Sequence, residues 1–158
     1  MNTNMKIAVV DRRDFVLGAS AVGLLSALSL GTASAEEVVP TLEEAMKAAI
    51  GDAKPIEGKV ALKLPEIAEN GNTVPFTISV ESPMTADNYV KAVHMFAAGN
   101  PRPDVASFMF SPASGEATVT SRMRLGQTQD VIALAEMSDG KVYMGRRTVK
   151  VTIGGCGG

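Results

Sequence analysis

The chain changes its hydrophobic period once, and the change divides it into a helix followed by strands. Leu42, Ala45, Met46, Ala49 and Ile50 recur at three- and four-residue spacing, which predicts one apolar face of an amphipathic helix. Thr41 stands at the N-cap position with Glu44 three residues on, the pattern of a capping box, and Gly51 is a natural stop. After Gly51 the period is two. Val60, Leu62 and Leu64 alternate with Lys59, Ala61 and Lys63, and Val74, Phe76, Ile78 and Val80 alternate with Pro75, Thr77, Ser79 and Glu81. Asn70-Gly71 supplies turn chemistry between those two runs. Further strands are expected near Tyr89–Phe96, Ala106–Phe110, Ala117–Leu125, Val131–Met137 and Val142–Ile153, with Asp139-Gly140 turning the last two into a hairpin. Pro75 lies inside a run, which predicts an edge strand or a bulge there. Short strands at even spacing after one helix point to an all-β chain, an immunoglobulin-like antiparallel sandwich of about seven strands with one N-terminal helix.

A different pattern precedes the helix. Arg12-Arg13 is followed by Asp14-Phe15-Val16-Leu17 and a moderately apolar stretch to Leu30, diluted by Gly18, Ser20, Gly23, Ser26 and Ser29. That stretch is too short and too polar for a membrane span of about 20 apolar residues. Ala33-Ser34-Ala35 provides small residues for cleavage after Ala35. Residues 1–35 therefore read as a twin-arginine signal peptide, with periplasmic localisation and no membrane attachment after cleavage; an uncleaved anchor is the alternative. Residues 36–153 form one domain and 154–158 a tail. Removing the leader takes Lys6, Arg12, Arg13, Asp11 and Asp14 with it, so the net charge passes from −2 to −3. Mild acidity with scattered cations offers no basic stripe for nucleic acid.

Candidate chemistry is concentrated at the far end. The sole cysteine, Cys156, is flanked by Gly154, Gly155, Gly157 and Gly158. A structural thiol packs inside an element, whereas glycines disfavour a fixed conformation and keep the chain thin. The segment from Gly154 to Cys156 spans roughly 10 Å when extended, so the tail reads as a swinging arm that carries a thiol. One cysteine cannot staple the fold internally. In an oxidising compartment it suggests intermolecular pairing or chemistry. No cation, histidine or helix start neighbours Cys156 in sequence to lower its pKa, and the carboxylate at Gly158 disfavours the thiolate. Its pKa is therefore expected to be near that of a free cysteine, about 8.5, with activation supplied by whichever site receives the tail.

The interior offers little else. His94, the lone histidine, stands between Val93 and Met95 in a predicted strand without a second ligand nearby, and reads as a bland strand residue. Met46, Met84, Met95, Met109, Met123, Met137 and Met144 are dispersed and read as core filler rather than a metal relay. No metal site is expected. Arg122 and Arg124 share a strand face with Thr118 and Thr120, either as a solvated face or to meet an anionic partner. Arg102 is exposed on the stiff turn Asn100-Pro101-Arg102-Pro103, where a contact role is open.

The terminal Gly-Gly-Cys-Gly-Gly after the basic strand Arg146–Ile153, together with the twin-arginine leader, resembles SoxY, the sulfur-carrier subunit of the SoxYZ thiosulfate-oxidation complex. The resemblance implies the same immunoglobulin-like fold. It implies that Cys156 carries thiosulfate-derived sulfur covalently, with no cofactor beyond those sulfur intermediates, and that the chain is a carrier rather than an enzyme. It implies a heterodimer with a SoxZ-like subunit. It also implies visits to a c-type cytochrome complex that conjugates thiosulfate, a di-manganese hydrolase that releases sulfate, and a molybdenum–haem sulfane dehydrogenase. Three rivals stand beside it: a carrier using a C-terminal thiocarboxylate, a thiol enzyme such as a peroxidase, and an immunoglobulin-like binding module whose thiol forms intermolecular disulfides.

Overall fold

The computed structural model describes residues 39–155. The leader with Arg12, Arg13 and Ala35, and the end of the tail with Cys156, Gly157 and Gly158, lie outside the described residues.

Helix α1 runs Leu42–Ile50 and starts as its sequence dictates. The Thr41 backbone N–H donates to Glu44 Oε2 at 2.8 Å, and the Glu44 N–H donates back to Thr41 Oγ1 at 3.3 Å. Gly51 ends the helix at φ +63°, its N–H donating to the Lys47 carbonyl. The bonds from Thr41 hold the Glu44 carboxyl below its ordinary pKa.

Nine strands follow: β1 Ile56–Glu57, β2 Val60–Lys63, β3 Ile67–Asn70, β4 Val74–Val80, β5 Val90–Ala97, β6 Asp104–Met109, β7 Ala117–Met123, β8 Gln129–Met137 and β9 Val142–Ile153. They form two sheets. The larger is ordered β1-β9-β8-β5-β6, with β3 also on β9, and the smaller is β2-β4-β7. The sandwich is therefore the expected one, with two additional short strands. Both additions, β1 and β3, run parallel to β9: Ile56 lies opposite Tyr143 and Ile67 opposite Lys150. They share one flank of the twelve-residue β9 end to end, so a single long strand carries two short ones.

Strand β8 explains the thickness of the molecule. Its sequence does not alternate, and both faces are buried. Val131, Ala133 and Ala135 point into the inter-sheet core with Phe76, Ile78, Val93 and Met95. Ile132 and Leu134 point the other way, against Phe96, Val142 and α1 through Ala45, Leu42 and Met46. Three layers result: small sheet, large sheet, helix. Of the methionines expected as filler, Met84, Met95, Met123 and Met137 are buried, but Met109 on edge strand β6 is 77% exposed.

Two expectations are corrected. β4 is central in its sheet rather than an edge. Pro75 is tolerated because β2 reaches only as far as Thr77, leaving Pro75 paired on one side alone, with Arg122 of β7. Asn70-Gly71 does not join the first two runs directly, because β3 intervenes. It ends β3 in the large sheet and leads into β4 of the small one. The Asp139-Gly140 turn does join β8 to β9 as expected: Gly140 has φ +82° and Met137 N–H donates to the Lys141 carbonyl.

Candidate functional site at the root of the cysteine tail

Strand β9 delivers the chain to Ile153, and the next two residues do not leave the body freely. The Gly71 N–H donates to the Ile153 carbonyl at 2.7 Å. The Leu125 N–H donates to the Gly71 carbonyl at 2.8 Å, and the Gly155 N–H donates to the Leu125 carbonyl at 3.0 Å. Three separate segments thus meet: the β3–β4 turn, the β7–β8 loop and the tail root. Gly155 is buried within them.

Only glycine fits this passage. A Cβ on Gly154 would lie 2.1 Å from the Gly126 carbonyl oxygen, and one on Gly71 would lie 2.2 Å from the Leu125 carbonyl oxygen. On Gly155 it would stand 2.9 Å from the Gly71 oxygen and 3.1 Å from the Asn72 nitrogen. The obstructing atoms are backbone, which cannot rotate aside as a side chain can. Gly154 and Gly155, expected to supply flexibility, are therefore seated, and their glycine character has a steric cause.

The clamp has its own support. Asn100 Nδ2 donates to the Arg124 carbonyl at 2.9 Å, while its Oδ1 accepts from Gly126 N–H at 3.0 Å and from Gln129 Nε2 at 2.8 Å. Gln129, a buried polar side chain, also bonds the Gly99 N–H and the Gln127 carbonyl. These bonds tie the β5–β6 turn to the β7–β8 loop and so fix the groove in which Gly155 lies. Sequence reading passed over Asn100, Gln129, Gly126 and the clamping role of Gly71. The turn-forming Asn70-Gly71 and the Asn-Pro turn were visible, but not that they converge on the tail.

Beside the clamp opens a cleft of about 400 Å³ between the start of β6 and the end of β7. Arg102, Arg122 and Arg124 line it with Asn72, Asn100 and Asp104. The arginines that sequence left between solvated face and contact surface therefore converge from two loops and a strand. Arg122 Nη1 also reaches Thr73 Oγ1 at 3.4 Å.

His94 lies elsewhere, half-buried on β5, with Nδ1 2.8 Å from Ser107 Oγ. Burial pushes its pKa below the ordinary value, partly opposed by the carboxylate of Glu136. That carboxylate pairs with Lys91 and raises the lysine pKa. Among the described residues, no three His, Cys, Asp or Glu side chains are grouped to hold a metal ion, and no helix is long and apolar enough to cross a membrane.

Residues 46–156 match the family model for the sulfur oxidation protein SoxY. The chain belongs to the SoxY family. The match runs from within α1 to Cys156, so it includes the clamp, the cleft and the cysteine. The sulfur carrier protein SoxY from Chlorobium limicola f. thiosulfatophilum is similar at 34% identity, over 72% of this chain and 97% of that one, with a TM-score of 0.61. A superoxide reductase (neelaredoxin) from Ignicoccus hospitalis aligns at 20% identity over 75% and 98% of the two chains, with a TM-score of 0.52. One from Nanoarchaeum equitans aligns at 13% over 61% and 99%, with a TM-score of 0.51. At those identities the two reductases share the fold alone. No curated protein matches the chain.

Proposed function

We propose that this member of the SoxY sulfur-carrier family holds thiosulfate-derived sulfur covalently on Cys156, in the periplasm, and offers it to the enzymes of a sulfur-oxidising system. The observation that carries the reading is the tail root: a glycine-only passage, buried at Gly155, from which the chain continues directly to its one thiol. A fixed root with a thin end is what a carrier needs, because the sulfur reaches into partner sites while the body stays intact.

The chemistry belongs to the partners, a c-type cytochrome complex first. Oxidative conjugation joins the Cys156 sulfur to the sulfane sulfur of thiosulfate, with loss of the thiol proton and two electrons to the cytochrome, giving an S-thiosulfonate. Water, at the di-manganese hydrolase, then cleaves the bond between the sulfane and sulfonate sulfurs, releasing sulfate and a proton and leaving a persulfide. Six-electron oxidation of that sulfane by the dehydrogenase, consuming three waters, forms an S-sulfonate. A second hydrolysis restores the thiol. The chain itself is a carrier, paired with a SoxZ-like subunit, and is exported through Arg12-Arg13 with cleavage after Ala35.

Mass spectrometry of the tail peptide, from protein purified without reductant out of cells oxidising thiosulfate, tests the reading. Thiol-labile sulfane or thiosulfonate additions on Cys156 are expected, and Cys156→Ser removes them. A bare thiol or a simple disulfide under those conditions points instead to the binding module.

A further inference from the structure

The described chain ends inside the clamp at Gly155, where an added Cβ would stand 3.1 Å from the Asn72 nitrogen, while a Cβ added to Gly126 would stand 3.9 Å from the Gly155 carbonyl oxygen. Asn72 is also a wall of the arginine cleft, and Asn100, which holds Gly126, is another. The cleft therefore shares Asn72 and Asn100 with the clamp that holds Gly155, the residue before Cys156 in the sequence. We propose that Arg102, Arg122 and Arg124 form an oxyanion seat that holds the terminal sulfonate of a thiosulfonate tethered on Cys156. The proposal rests on the carrier reading and adds a binding site on the carrier's own body.

Reach, charge and chemistry agree. Consecutive Cα atoms are 3.8 Å apart, and a disulfide-type S–S bond adds about 2 Å. With the cysteine side chain, the sulfonate extends to roughly 10 Å from Gly155, enough to cross a 400 Å³ cleft that starts at its neighbour. Among the described lining residues, three guanidinium groups stand beside one carboxylate, Asp104. Guanidinium groups present paired N–H donors that match planar or tetrahedral oxyanions, and they remain charged at any working pH. The adduct is more anionic at its tip than the free thiol, so the seat distinguishes loaded from empty carrier. Loaded cargo is drawn back to the body, away from stray reductants, and the empty tail is not.

Tetrathionate loads the site without an added oxidant: the Cys156 thiolate attacks a divalent sulfur, forms the S-thiosulfonate and expels thiosulfate. Nitrogen-15 NMR of the full chain then reads the Nε–Hε resonances of Arg122 and Arg124. Loading is expected to shift both, and blocking the same sulfur as a neutral methyl disulfide is not. At about 1 M salt, where the screening length is about 3 Å, the shifts should fall at least about two-fold. Arg122→Gln, an exposed change expected to leave the fold intact, should weaken the Arg124 response by a similar factor. No shift on loading, or an equal shift with the methyl disulfide, overturns the seat. In Cys156→Ser, free thiosulfate should reproduce the shifts only at about millimolar concentration or above, the effective concentration a short tether supplies. Saturation at micromolar thiosulfate would overturn the tethered form in favour of a free-anion site. Because the adduct is made chemically, these outcomes concern the seat alone; the carrier reading stands or falls on the tail peptide from cells.

Discussion

At the scale of single residues, the tail glycines are two kinds of position under one letter. Gly154 and Gly155 are confined by backbone oxygens at 2.1 and 2.9 Å from any added Cβ, while Gly157 and Gly158 follow the cysteine. Replacing Gly71 by Ala should lower stability by about 1–3 kcal/mol, the range for forced overpacking, read as a drop in urea midpoint. It should also speed hydrogen exchange at the Gly155 amide, because the Leu125 carbonyl that accepts it must move. Normal stability with unchanged exchange would show that the turn yields without releasing the tail. None of this was legible in the sequence. A glycine before a cysteine looks the same whether it frees the chain or squeezes it, and its neighbours Gly71 and Gly126 are far away along the chain. His94 was legible in kind, a strand residue, and its environment gives a pH dependence. Its folded pKa lies below the unfolded value because burial disfavours the cation. The unfolded chain therefore takes up the proton first as pH falls. Its contribution is complete above about pH 6.5 and is lost as pH drops through the lowered folded value. His94→Gln should flatten that decline in urea midpoints compared between about pH 7.5 and 5.5.

Elements were most legible where their signals are local. The capping box at Thr41 and Glu44 and the stop at Gly51 need no distant information, and both ends of α1 lie where those residues put them. Thr41→Ala should cost about 1 kcal/mol, visible as a lower denaturation midpoint with an unchanged slope, since α1 covers only the outer face of the larger sheet. An unchanged midpoint would mean that packing of Leu42, Ala45 and Met46 alone holds the helix. The strands missed were β1 and β3, of two and four residues, each too short to show a period. In β3 only Ala68 is buried, so there is no apolar alternation to find. Their parallel pairing with β9 also lies beyond a reading in which each turn joins neighbours. That error carried over to Asn70-Gly71, whose turn chemistry is real but which crosses between sheets and, in doing so, passes the tail. Pro75 misled for a related reason: strand order is a property of the sheet, whereas proline responds only to whether a partner lies beside that one residue.

For the whole molecule, the division of labour between body and tail can be measured. The inter-sheet core and the α1 layer are closed by residues that end with Val151 on β9, so the fold is not expected to depend on what Cys156 bears. It does depend on the root, because the Gly155 N–H and the buried glycine itself are part of the clamp. Cys156→Ser is therefore expected to leave stability within about 0.5 kcal/mol of the parent. Truncation after Ile153 should cost about 1 kcal/mol, the net value of one hydrogen bond, and expose the Leu125 carbonyl. Thermal melts of the two variants beside the parent distinguish the cases. If truncation is silent, the seated glycines are only lying in a groove and the arm begins at β9. If it destabilises while Cys156→Ser does not, the arm begins at Cys156. On the carrier reading proposed above, the arm then pivots beside the arginine cleft, and that pivot limits how far a sulfur on Cys156 would travel.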